Sequence, residues 1–238
     1  MAVHVVLKEF PGLEATQVGL DSPLLRAQRF LASAYDSVAG LFDTTYPILR
    51  KERTAAKGRL THAEHDIFRA AVVFTGAGLD SVFKEAMRGS IRIQIERSES
   101  AREKYVDFVA NYLTSGSHVN PHTIATLLTE PEPDLLLKDA YIEKLTGSSL
   151  QSQTQVTNTL TALGMVKEKD LYKDSTSLNP LFKARNQIAH ESDMTAASIS
   201  ARGTRHRRER RIATYRDMCH VGLNYSQRFL NRLAPLVE

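Results

Sequence analysis

The chain has 238 residues, 42% of them hydrophobic and 24% charged, which excludes wholesale disorder and is enough to bury a core in one large domain or two small ones. A single cysteine, Cys219, excludes an intramolecular disulfide framework and a cysteine-rich zinc module, and it suits a reducing, cytoplasmic setting. The formal charge of +4 is local: Arg202, Arg205, Arg207, Arg208, Arg210 and Arg211 stand together with one glutamate among them, a candidate nucleic-acid-binding surface whose alternative is a solvated arm.

Residues 1–22 read as a peripheral arm, in which Val3 to Phe10 alternates like an edge strand and Pro11-Gly12 ends it. No basic segment followed by a long apolar run opens the sequence, so no secretory signal is expected. From Pro23 to about Thr45, Leu24, Phe30, Leu31, Ala34, Val38 and Leu41 recur at helical spacing. Thr61-His62-Ala63-Glu64 has the spacing of a capping box, and the helix it opens runs through Phe68, Val72, Leu79 and Phe83 to Met87, apolar nearly all round and therefore central. Gly76 and Gly78 each weaken a helix by about 1 kcal/mol against alanine, which predicts that another backbone approaches closely there in a tight helix packing. The same glycines and Asp80 break the most apolar window, Ile67 to Phe83, so it does not span a bilayer and no membrane partner is expected.

Between residues 89 and 177 helices are expected near Glu103 to Leu113, Pro121 to Leu128, Leu135 to Leu145 and Leu150 to Val166, with a stop at Leu163-Gly164. Asn179-Pro180 supplies a cap and a first-turn proline for a short helix through Leu181, Phe182 and Ile188. A polar stretch, the arginines and a last helix from Ile212 through Leu233 complete the chain. About seven helices and at most one strand make the fold all-α, a helical bundle.

No phosphate-binding loop, nucleophile elbow or His-Glu-x-x-His zinc signature occurs. His62 and His65 fall in a helix start where Glu64 is better explained as a cap, and His118 and His122 flank Asn120-Pro121, so no metal ion or cofactor is expected. The informative segment is Phe182-Lys-Ala-Arg185-Asn186-Gln-Ile188-Ala189-His190-Glu191. Spacing alone carries little weight: among twenty arginines and eight histidines, an arginine followed five to seven positions later by a histidine recurs by chance, and Arg59 with His65 is such a decoy. The helical context and the polar Asn186 distinguish the second pair.

In that context the chain resembles the HEPN family (higher eukaryotes and prokaryotes nucleotide-binding domains), whose hallmark is an arginine, four to six residues and a histidine, often with a polar residue after the arginine. The helix from Phe68 to Met87 is similar to the family's earlier core helix. The resemblance covers residues 23–88 and 178–234 and leaves 89–177 as an insertion of open role. It implies a helical domain that is either a metal-independent endoribonuclease, with Arg185, Asn186 and His190 catalytic, or a non-enzymatic nucleic-acid-binding or interaction module. It also implies RNA as partner, a homodimer, and a toxin-like or antiviral-defence setting with an antitoxin or sensor partner.

The chemistry stands on its own terms. Attack of a 2′-hydroxyl on phosphorus needs a proton acceptor, a proton donor and positive charge on the phosphorane. Histidine supplies either proton role near neutral pH, and the permanently charged Arg185 forks onto phosphate oxygens. One histidine cannot be acid and base in one step, and residues five apart on a helix point about 140° away from each other. Either the helix ends near His190 or a second copy completes the site. A purely structural role is the alternative, with Arg185 paired to Asp80 or Glu191 and His190 satisfying helix-end carbonyls.

Overall fold

The computed structural model describes residues 9–52, 59–115, 118–195 and 207–238. Ten α-helices are described: α1 (Leu25–Gly40), α2 (Tyr46–Lys51), α3 (His62–Arg97), α4 (Glu99–Tyr112), α5 (Pro121–Thr129), α6 (Pro133–Thr146), α7 (Gln153–Ala162), α8 (Lys169–Asp174), α9 (Asn179–Glu191) and α10 (Ile212–Val237). A two-residue antiparallel ladder, Thr114–Ser115 with His118–Val119, is the extended pairing between α4 and α5. The fold is an all-α bundle, as the apolar spacing predicts.

The axis of the bundle is α3, 36 residues and about 54 Å long. Its start is the expected capping box: the Thr61 hydroxyl accepts from the Glu64 N–H at 3.2 Å while the Glu64 carboxylate accepts from the Thr61 N–H at 2.6 Å. It runs ten residues beyond Met87, because Ile91 and Ile95 continue the buried stripe and Gly89 fits against the Pro23 carbonyl. Ser98 ends it in an extended conformation and caps α4 through its side chain.

Helices α1, α9 and α10 surround α3, and the small residues of α3 and α10 set how closely. A side chain on Gly78 would overlap the Ala34 methyl group of α1, and a Cβ on Gly222 of α10 would lie 2.6 Å from Leu181 of α9 and 2.9 Å from Thr75 of α3. Aromatic stacking fills the centre, with Phe83 on Phe229 at 4.1 Å and Phe68 between Phe42 and Tyr215.

Four local features depart from the sequence expectation. The first helix is not continuous to Thr45: a π-helical turn, Leu41–Thr45, separates α1 from α2, where Pro47 has no N–H to bond the carbonyl four residues back. Asn179 does not cap α9, because a 3-10 turn, Ser175–Leu178, leads straight into that helix and the Asn179 amide bonds Gln153 at 3.2 Å. The helix expected over Leu150 to Val166 is the shorter α7, since Leu150 and Gln151 lie outside it, and Gly164 at φ +70° closes it in a Schellman arrangement. Finally, the expected edge strand lies largely outside the described residues, and Glu9 and Phe10 are not in a strand. Residues 9–20 instead lie along α1 and α10: Phe10 is buried against Phe42, and the Asn231 amide accepts from the Gln17 N–H and donates to the Ala15 carbonyl.

Candidate functional site

Pro180 in the first turn and buried Leu181, Phe182 and Ala184 seat α9 on the core, which orients the rest of its surface. The Arg185 stem then crosses α3 where Gly76 leaves room; a Cβ on Gly76 would lie 3.1 Å from the Arg185 Cγ. The tight packing expected at the two glycines is present, but the groups that approach are side chains rather than a backbone: the Arg185 stem at Gly76 and the Ala34 methyl at Gly78. The Arg185 guanidinium donates to the Gln151 Oε1 and, at 3.1 Å, to the Asn186 Oδ1. Both acceptors are neutral amides. Asp80 instead accepts from the Leu150 N–H at 2.7 Å and pairs with Lys84, and Glu191 pairs with Arg208, so neither neutralises Arg185.

The helix does not end before His190; it continues through Glu191. Arg185 and His190 are therefore about 7.5 Å apart along the axis and point about 140° away from each other. Arg185 lies half-buried against α3, whereas His190 is exposed and has no hydrogen-bond or ion-pair partner among the described residues. One copy of the chain does not bring the two groups together.

Just past His190 the backbone turns left-handed at two successive non-glycine residues, Ser192 (φ 49°) and Asp193 (φ 57°). Each such residue costs about 1–3 kcal/mol and persists only where its surroundings fix it. Here the surroundings are a fully buried carboxylate: Asp193 accepts from the Arg69 Nε at 2.8 Å and from Arg210 at 2.8 and 2.9 Å. Burial works against the charge on Arg69, but hydrogen bonds to Asp193 and Asp66 outweigh it and raise its pKa. The Arg69 guanidinium also donates to the Arg208 carbonyl at 3.0 Å, and Met194 pairs with Arg207 as an isolated antiparallel bridge. The end of α9, the start of α10 and the N-terminal part of α3 are thus fastened at one carboxylate.

This clamp alters the standing of the arginine cluster. Arg207 pairs with Asp66 at 2.8 Å, Arg208 with Glu191 at 3.0 Å, and Arg210 with Asp193 and the Gln187 side chain. Arg211 is exposed at the start of α10, and Arg202 and Arg205 lie outside the described residues. Sequence reading missed Asp193 and Arg69, although a lone arginine in the apolar run Phe68-Arg69-Ala70-Ala71-Val72 is itself a signal that a buried counter-charge is needed.

The decoy pair separates completely. His65 is buried, 6.1 Å from the Tyr215 ring, and burial followed by the Arg69 charge lowers its pKa, whereas Arg59 pairs with Glu209 on the surface. No group of three or more metal-capable side chains occurs among the described residues, and none of the described helices is long and apolar enough to cross a membrane.

Fold and site together define the class to which this chain can be assigned: an all-α bundle with an arginine-histidine helix packed on a long central helix. No family model, curated protein or solved structure matches the chain.

Proposed function

We propose that this chain is a metal-independent endoribonuclease whose active site needs two copies, each contributing Arg185, Asn186 and His190 from different sides of α9. The observation that carries the reading is the contrast among arginines. Arg69, Arg207, Arg208 and Arg210 are each matched to a carboxylate, whereas Arg185 is held by two amide oxygens and keeps an uncompensated charge. Two amides fix its direction without neutralising it, which suits a group that meets a phosphate.

His190 complements it from a different direction. An exposed imidazole without a partner is available for proton transfer, and two of them facing across a two-fold axis supply the acid and the base that one cannot. The 2′-oxygen would lose its proton to one imidazole, attack phosphorus, and expel the 5′-oxygen protonated by the other. The products are a 2′,3′-cyclic phosphate and a 5′-hydroxyl. Arg185 would stabilise the charge that builds on the non-bridging oxygens.

A second reading, a non-enzymatic interaction module, is favoured by Val106, Tyr112, Leu128, Leu135 and Leu136, which expose apolar surface on α4, α5 and α6. Under that reading a protein docks on this surface, whereas an antitoxin or sensor partner belongs to the enzymatic reading, as what holds the nuclease off. Incubating the purified chain with RNA in excess chelator separates the two: the enzyme yields cyclic-phosphate ends, and both Arg185→Ala and His190→Ala abolish them. Undiminished cleavage by His190→Ala would remove the chemistry from this helix.

A further inference from the structure

The segment between α6 and α7 carries the insertion onto α9, and its bonds fix one amide there. Leu150 is buried and its N–H donates to Asp80 of α3 at 2.7 Å, while the Gln151 N–H donates to the Gln155 Oε1 in the first turn of α7, also at 2.7 Å. The Gln151 side chain is then held at both ends. Its Nε2 donates to the Ser149 Oγ, so Oε1 is the end that meets Arg185.

Which guanidinium nitrogen is used decides what remains available. Gln151 and Asn186 both accept from the same one, Nη1, which carries only two protons. The Arg185 Nε and Nη2 have no partner among the described residues, and neither is sealed from solvent. These two nitrogens form the edge of a guanidinium that forks onto a pair of phosphate oxygens. Asn186, with its Oδ1 committed to Nη1, keeps its Nδ2 protons without a partner among the described residues, as further donors beside that edge.

We infer that Gln151 is a positioning residue: by occupying Nη1 with a neutral, fixed acceptor it presents the Nε–Nη2 edge of Arg185 to an RNA phosphate. The inference rests on Arg185 meeting phosphate, as proposed above, and it gives the insertion a role at the site on α9. Gln151 touches no substrate and acts through Arg185. A structural Gln151 and a positioning Gln151 predict opposite results for Gln151→Glu, which keeps the shape and the acceptor and adds a charge. A structural contact gains from a carboxylate on a guanidinium, whereas a positioning one fails because Arg185 is neutralised before phosphate arrives.

The test measures the affinity of the full chain for a 2′-O-methyl oligoribonucleotide, which lacks the attacking hydroxyl and stays intact, at one fixed salt concentration and beside the thermal midpoint. The expected result is about tenfold weaker binding by Gln151→Glu at an unchanged or higher midpoint, and about threefold weaker binding by Gln151→Ala. Parental affinity in Gln151→Glu, or a parent chain that binds no more tightly than Arg185→Ala, overturns the inference. If Gln151→Glu does not fold, Gln151→Ala decides by the same two outcomes. Cleavage of ordinary RNA is scored separately: a chain that binds with these losses but cuts nothing removes the nuclease reading and leaves the role of Gln151 standing.

Discussion

Arg69 and Asp193 are 124 residues apart in the chain and meet at 2.8 Å in a pairing from which water is nearly excluded, with Asp193 fully buried. The pair fixes the left-handed turn that follows His190, so the stability of the core and the orientation of the exposed end of α9 depend on one carboxylate.

Asp193→Ala leaves Arg69 and Arg210 buried without their shared counter-charge. Removing one partner of a buried pair costs about 3–5 kcal/mol, and the loss is expected in urea-unfolding midpoints. Asp193→Asn tolerates the left-handed backbone and keeps an acceptor, so it should lose less than the alanine variant. Equal stability of Asp193→Ala and the parent chain would show that the clamp contributes nothing.

Acid should weaken the fold in two steps. His65 has its pKa lowered from 6.5, first by burial and then by Arg69, so the unfolded chain takes up its proton more readily. Stability that is complete above about pH 6.5 is therefore lost as the pH falls below that value, and His65→Gln removes this step. Burial pushes Glu64 upward, but the Thr61 N–H and hydroxyl and Arg50 outweigh it, and its pKa is lowered from 4.5. Its contribution is present above about pH 4.5 and disappears as the pH falls through the lower folded value; Glu64→Gln flattens that part of the profile. Thermal midpoints between pH 8 and pH 3 measure both steps.

The two glycines of α3 should respond differently to alanine. At Gly78 the new methyl group meets the Ala34 Cβ, which is fixed to the α1 backbone, so overpacking should cost about 1–3 kcal/mol. At Gly76 it meets the flexible Arg185 stem at 3.1 Å, so that stem can yield, and the gain in helix propensity of about 1 kcal/mol offsets the strain. Gly76→Ala should keep its unfolding midpoint and lose RNA cleavage, because the guanidinium is displaced. A calorimetric scan and a cleavage assay on the same samples decide this.

The parts of the fold legible in the sequence are those written in side-chain periodicity and local caps. The stripe along α3, the Thr61–Glu64 box, the stop at Gly164 and the close packing at Gly76 and Gly78 all rest on contacts within a few residues or on the absence of a side chain. The Asp193 clamp joins residues far apart, and a polar segment after a helix gives no hint that one of its carboxylates is fully buried. The strap of residues 9–20 was illegible for another reason: Asn224 and Asn231 bond its backbone, which leaves no pattern in its side chains. At the candidate site, the sequence marks Arg185, Asn186 and His190 and the divergence of about 140° that an unbroken helix gives Arg185 and His190, but not that the helix persists to Glu191, which depends on the turn at Ser192 and Asp193 being held in place.

The most direct test of the two-copy site is to titrate the His190→Ala chain into a fixed amount of wild-type chain and follow cyclic-phosphate formation. If each site needs histidines from two copies, mixed dimers are impaired and the rate falls steadily as the variant is added. A rate that stays constant across a tenfold excess of the variant, with the two chains shown to exchange, would mean that each copy cuts alone and would contradict the account.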